Sequence, residues 1–301
     1  MKKKKYTKTA TTYGEQIATL KRHGLIVEDV EKAEEYLSAI GYYRLGFYIY
    51  PFEETYPALD KKRRHNVKAG TRFDDVVALY NFDMDLRNIV SKYLSEIEVV
   101  IRNTFIYQLS IKYNSNPTWF VDSSVMTTQF IDDFYEKAYK SIRKHESIRR
   151  HHEKYRGQYA PAWKTMEYMT LGNMEVLYAN LLLDKDKVLV SRYFGEPSSA
   201  AFKSYLGAIR DIRNACAHGN LLYELRLQDG VKVGKACASF KPHTSQTLCG
   251  ALKVADYLLR RISVNKADNM WRELANAVER LNELVPSVVP IVKSQTGIEL
   301  T

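Results

Sequence analysis

The amino-acid sequence predicts an all-α protein: a helical bundle with an N-terminal helical extension and one small β-hairpin insert. Three observations predict it. Apolar residues recur at helical spacing from Phe73 to Leu109, through Val77, Leu79, Phe82, Leu86, Ile89, Val90, Leu94, Ile97, Ile101 and Phe105. Other segments carry acidic residues early and stop at glycine, as helices do. Only Leu225–Val233 alternates around a turn pair, Asp229-Gly230, as a hairpin requires.

Taken in order, Tyr13–His23 reads as a first helix stopped by Gly24, and Val27–Ile40 as a second stopped by Gly41. The aromatic run Tyr42–Phe52 reads as a short helix or a turn, and as core rather than a stacking platform. Glu53–Gly70, polar and basic with Pro57, reads as a loop. Phe73 then opens one long helix, or two broken near Ser91–Ser95, ended by Asn114–Pro117. Gln129–Tyr155 reads as a strongly basic helix, Pro161 restarts the chain, and Met166–Leu183 is helical with a break at Gly172-Asn173. Helices over Ser198–Ala217, Thr244–Ile262 and Asp268–Leu284 follow, and Pro286 and Pro290 loosen the end. Trp119, Trp163 and Trp271 read as core. The organisation expected is an N-terminal helical extension over 1–70, a helical domain over 71–285 and a tail over 286–301.

The 301 residues carry a net charge of +10, with 22 tyrosines. A strongly basic balance favours a polyanionic partner, nucleic acid before an acidic membrane surface. The run Lys2–Lys5 is followed by no apolar segment, and no stretch is long enough to span a bilayer, so a cytoplasmic protein without membrane association is expected. Cys216, Cys237 and Cys249 have no paired or zinc-like spacing and read as free thiols. Neither a metal nor another cofactor is called for.

The residues that carry chemistry lie in Ile209-Arg-Asp-Ile-Arg-Asn-Ala-Cys-Ala-His-Gly-Asn220, at the end of an apolar helical pattern. Histidine moves a proton near neutral pH, and arginine holds a phosphate with a planar donor fork. Residues four apart on a helix lie about 40° apart, so Arg210, Asn214 and His218 form one stripe. Arg213, five before His218, lies roughly 140° away from it. The pair meets if the helix end distorts near Gly219, if long side chains reach round, or if a second copy of the chain completes the site. The alternative is a plain helix cap, with His218 in the last turn and Gly219 as terminator.

The chain resembles the Abi-like family of bacterial abortive-infection proteins, the AbiD/AbiF group. The resemblance rests on Ile40–Phe52, Leu79–Arg87, Glu96–Asn103, His152, Pro161–Trp163, Leu171–Asn173, Leu177–Leu181 and Ile212–His218, in that order. That family is similar to the HEPN superfamily, whose ribonucleases carry an arginine, a polar residue after it, and a histidine a few residues further on. The resemblance therefore implies a HEPN-like helical bundle and a catalytic set of Arg213, Asn214 and His218. It also implies relatives in toxin–antitoxin pairs and RNA-guided ribonucleases. Where relatives often carry a second basic residue after the motif histidine, this chain has Gly219.

On that reading the RNA 2′-OH attacks the adjacent phosphorus, His218 moves the proton, Arg213 stabilises charge on the phosphorane and Asn214 orients either partner. Products carry 2′,3′-cyclic phosphate and 5′-OH ends, and no metal is required. Arg210 and Asp211 are candidate supporting residues, alternatively a surface ion pair. Glu98 and Arg102, four apart, can pair on one helix face, and the resemblance places them, with Asn103, along the same cleft. The basic stretch Tyr139–Arg156 offers Lys140, Arg143, Lys144, Arg149, Arg150, Lys154 and Arg156 to phosphates, alternatively a solvated helix face. The adjacent His151 and His152 point apart and make a poor metal pair.

The partners expected are RNA, as substrate and as a structured restraining antitoxin, and a second copy of the chain. The rival readings are a non-catalytic RNA-binding module and a protein-interaction scaffold with a degenerate motif.

Overall fold

The computed structural model describes residues 7, 9–57, 63–239 and 244–298, so the run Lys2–Lys5 lies outside the described residues. The fold is all-α. Helix α1 (Tyr13–Arg22) begins at a reciprocal cap: Thr12 Oγ1 accepts from Glu15 N, and Glu15 Oε2 accepts from Thr12 N at 2.8 Å. Helix α2 (Val30–Ile40) starts where Asp29 accepts from Lys32 N at 3.0 Å, and it ends at Gly41, whose φ of 87° favours glycine. The aromatic run is helix α3 (Tyr42–Ile49) with a 3-10 turn after it. Leu45, Tyr48, Ile49 and Phe52 are core as expected, whereas Tyr43 and Phe47 are exposed. Helix α4 (Phe73–Lys112) runs its forty residues without a break. Ser91 and Ser95 are exposed and Ser95 Oγ returns to the Lys92 carbonyl, so the serines leave the ladder intact.

Then come α5 (Thr128–Phe134), α6 (Glu146–Lys154), α7 (Leu171–Asn180), α8 (Asp184–Tyr193), α9 (Ser199–Ala217), α10 (Leu248–Ile262), α11 (Val264–Leu284) and α12 (Val289–Thr296). Two compact units emerge. The first holds α1–α3, α4 up to Leu86, and the chain from Ala275 to Ser294, with Leu37, Leu45, Tyr48, Leu79, Leu86 and Val278 fully or almost fully buried. The second holds Arg87–Leu274 and Gln295–Ile298. Its centre is α9, which packs against α7 and α10. Phe202, Tyr205, Leu206, Ile209 and Ile212 on α9 have no exposed surface, and each large apolar side chain buried this way contributes about 1.5–3 kcal/mol.

The hairpin insert is corrected by the structure: no strand pairing joins the two arms of Leu225–Val233. Leu227 N donates to Gln246 O and Val231 N to Ser245 O, both at 2.9 Å, and Lys232 N donates to Ser204 Oγ. The arms thus spend their donors on the segment before α10 and on α9 rather than on each other. Gly230 also lacks the positive φ that a two-residue hairpin turn over Asp229-Gly230 demands.

The basic helix expected over Gln129–Tyr155 is broken into α5, a π stretch Tyr135–Tyr139, a helical turn Lys140–Ile142 and α6. Tyr139, the last residue of the π stretch, is buried on the inner side. Its hydroxyl accepts from Ala160 N at 2.6 Å and pairs with His152 Nε2 at 2.8 Å, pinning the chain that returns after α6. No break falls at Gly172-Asn173; Thr170 caps α7 by accepting from Asn173 N. Helix α8 was hidden in the sequence, and the end beyond Pro286 is helical, with Val288, Val289 and Val292 buried. Trp119 is core, but Trp163 is half exposed. Cys216, Cys237 and Cys249 form no disulfide among the described residues. No helix among the described residues is long and apolar enough to cross a membrane.

Candidate active site at the end of helix α9

Helix α9 starts at Ser198, whose side chain accepts from Ala201 N, and runs regularly to Ala217. His218 closes it. His218 N still donates to Asn214 O at 3.0 Å, Gly219 N donates to Cys216 O, and Asn220 N reaches back to Ala215 O at 2.9 Å. With Gly219 at φ 63°, these bonds form a Schellman cap. Gly219 supplies the left-handed residue that this cap requires. The helix does not distort before His218, so the angular offset between Arg213 and His218 stands at roughly 140°. Arg87, almost fully buried on α4, holds the turn from below: its Nη1 donates to Asn220 O at 3.1 Å.

The polar residues of the motif fall into two sets. Arg210 and Asp211 belong to an inner cluster. Arg210 donates to Glu175 on α7, to Asp211 Oδ1 at 2.7 Å and to Gln228 Oε1 at 3.2 Å, while Asp211 Oδ2 accepts from Gln228 N at 2.9 Å. Burial pushes the Glu175 carboxyl above the usual carboxylate range against the pull of Arg210. Burial works against the Arg210 cation as well, but Asp211 and Glu175 outweigh it and raise its pKa. This cluster ties α9 to α7 and to the loop before α10.

Arg213, Asn214 and His218 belong to the outer set. Arg213 is near one carboxylate: its Nε lies 3.7 Å from Glu98 Oε2, and its side chain is 43% exposed. Glu98 is held from its other side by Arg102, whose Nη2 donates to Oε1 at 3.0 Å and also to Met169 O. The sequence-predicted Glu98–Arg102 pair therefore exists, and the structure brings Arg213 to it. Asn103 is exposed on the same helix. Asn214 and His218 are exposed, and among the described residues their side chains make no hydrogen bond or ion pair. The arrangement offers a phosphate one partly free guanidinium, one imidazole and one amide.

Sequence reasoning missed Arg87, Glu175 and Gln228. Only Arg87 had a signal, since it ends one of the stretches that carry the family resemblance.

The seven cations of the basic stretch, Lys140, Arg143, Lys144, Arg149, Arg150, Lys154 and Arg156, are all exposed. Lys140 pairs with Glu136 and Arg150 with Glu146, each four residues along the chain from its partner. The rings of His151 and His152 are 5.5 Å apart at 79°. No group of three or more histidine, cysteine or acidic side chains among the described residues is placed to hold a metal ion.

The fold is all-α, and Arg213, Asn214 and His218 lie at one capped helix end. The family model described as Abi-like protein matches residues 35–224, more than half of the chain and including the whole motif. The chain belongs to the Abi-like protein family, which places it with abortive-infection proteins. No curated protein and no solved structure matches it.

Proposed function

We propose that this chain is a metal-independent endoribonuclease of the HEPN type, a toxin-like effector of abortive infection acting in the cytoplasm. The observation that carries the proposal is the contrast along α9. Arg210 and Asp211 are consumed by ion pairs and hydrogen bonds, while the exposed side chains of Asn214 and His218 make no hydrogen bond or ion pair among the described residues and Arg213 is only loosely held. A histidine present only as a helix cap needs no arginine poised beside a carboxylate five residues earlier.

The reaction is transesterification. The 2′-oxygen forms a bond to phosphorus as the bond to the 5′-oxygen breaks. His218 takes the 2′-OH proton or delivers one to the departing 5′-oxygen, as an imidazole can do near neutral pH. Arg213 neutralises the phosphorane oxygens and Asn214 orients the imidazole or a non-bridging oxygen. Because Arg213 and His218 leave one helix about 140° apart, a two-fold dimer that sets the two α9 ends around one cleft supplies a complete set. Val99, Tyr107 and Ile111 on α4 are exposed apolar side chains that such a partner copy would cover. A structured RNA on the basic surface restrains the activity in this account.

The test is cleavage of cellular RNA in EDTA by wild type and His218→Ala, after nucleic acid has been stripped in high salt. Cleavage by wild type alone is expected. Equal cleavage by both sinks the assignment, and binding without cleavage by either moves the chain to the binding modules.

A further inference from the structure

A second site lies well along the chain from the α9 motif. Helix α6 and the returning segment Ala162–Tyr168 enclose an open cleft of about 620 Å³, within the usual range for ligand sites. Its walls are polar: Arg150, Lys154 and Lys164 stand against one acid, Glu146, which Arg150 already pairs. An apolar ligand has little to meet here, and an anion has much.

Two features make the cleft more than a charged surface. The first is its aromatic furniture. His145 stacks on Tyr168 with centroids 4.0 Å apart at 16°, and His151 stacks on Tyr155 at 4.9 Å and 28°. Tyr155 is 60% exposed, so this stack has room for a further ring. The second is His151 itself. Its Nδ1 is shielded from solvent and has no hydrogen-bond partner among the described residues, although a polar atom shielded this way normally has one.

The walls are also fixed in advance. Buried Ile148 roots α6, Ser147 Oγ and the Tyr168 hydroxyl are 2.8 Å apart across the cleft, and Tyr139 pins Ala160 and His152 beneath it. A preformed site loses less on binding.

We propose that this cleft is a nucleotide-binding site, separate from the α9 residues, which takes the phosphate and base of one unit of a single-stranded RNA. The phosphate meets Lys154, Lys164 and Arg150, and the base extends the Tyr155–His151 stack. The identity of the polymer rests on the RNA-directed reading above, while the phosphate-and-base chemistry comes from the cleft itself. The site holds RNA in place and performs no chemistry.

The experiment uses the full chain carrying His218→Ala, so that RNA stays intact. Its affinity for a short fluorescein-labelled single-stranded RNA is read by anisotropy across a salt series, alone and with Lys164→Gln or Tyr155→Ala added. Tyr155→Ala is expected to weaken binding roughly tenfold. Lys164→Gln is expected to lower the slope of log affinity against log salt by about 0.7, one phosphate contact's worth. Unchanged affinity and slope in both, or no RNA binding at all, overturns the site. Adenosine monophosphate is the second arm: displacement of RNA at similar concentration assigns the cleft to a free nucleotide and overturns the polymer. Wild-type cleavage is scored alongside. Loss of the nuclease reading with a cleft-dependent affinity sinks only that reading, and cleavage with cleft-independent affinity sinks only this one.

Discussion

Glu98 stands between two arginines, with Oε1 3.0 Å from Arg102 Nη2 and Oε2 3.7 Å from Arg213 Nε. The first distance is a hydrogen bond; the second is too long for one, so Arg213 is steered without being consumed. Such a half-exposed pair is worth no more than about 1 kcal/mol, which a phosphate can displace. Glu98→Gln keeps the shape and removes the charge. It is expected to lower kcat about tenfold through a misplaced guanidinium while KM stays level or falls, because the competing carboxylate is gone. Single-turnover and steady-state cleavage read the split.

The Arg210 cluster predicts a stability effect instead. Arg210→Met leaves Glu175 nearly buried without its counter-charge, and a loss of about 2–3 kcal/mol is expected, below the value for a fully buried pair since Arg210 is partly exposed. The Glu175 carboxyl is already raised by burial, and losing Arg210 raises it further. A raised carboxylate releases its proton more readily unfolded than folded, so stability is lost as pH rises through the folded pKa. Urea midpoints of the variant should therefore fall more than those of wild type as pH rises above the ordinary glutamate value of about 4.3.

The cap after His218 is the third test. Gly219 holds φ 63°, where a Cβ costs about 1–2 kcal/mol, so Gly219→Ala should destabilise by that amount and Gly219→Asn by less. Arg87→Met removes the donor to Asn220 O and is expected to cost about 2 kcal/mol. Both variants should lower cleavage beyond their effect on folding, because the turn that sets His218 is loosened. Urea denaturation and activity at matched folded fraction separate the two.

The histidines of α6 set an acid limit. Burial, then Arg143, lowers the His152 pKa; burial, then Lys164 and His152, lowers that of His151. The unfolded chain takes up protons below about pH 6.5, where the folded chain still holds these rings neutral. Their contribution is therefore present above that pH and is lost as pH falls through the folded values. The urea midpoint should decline from about pH 7 to about pH 5, and His152→Asn should flatten that decline.

The starts of α1 and α9 were legible to within a residue, at Tyr13 and Ser198, whereas α2 was expected from Val27 and begins only after the Asp29 cap. The Glu98–Arg102 pair was also readable, because i,i+4 spacing is local. What escaped was set by distant partners. Arg210 and Arg213 look alike in sequence, each close to polar neighbours on one helix, and only Glu175 and Gln228 on one side and Glu98 on the other tell them apart. Leu225–Val233 has a hairpin pattern, yet Ser245 and Gln246 offer its donors better-placed carbonyls. Helix α8 hides because its first turn, Asp184–Lys187, alternates charges with no apolar stripe.

The measurement that bears most directly on the central claim is the chemistry of the cut ends. Wild-type protein is given an RNA and the same strand with 2′-deoxyribose throughout, both in EDTA. Only the RNA is expected to be cut, with products that carry 2′,3′-cyclic phosphate and 5′-OH ends. Equal cutting of the deoxy strand, or products with 3′-OH and 5′-phosphate ends, would contradict attack by the 2′-oxygen and with it the roles of Arg213 and His218.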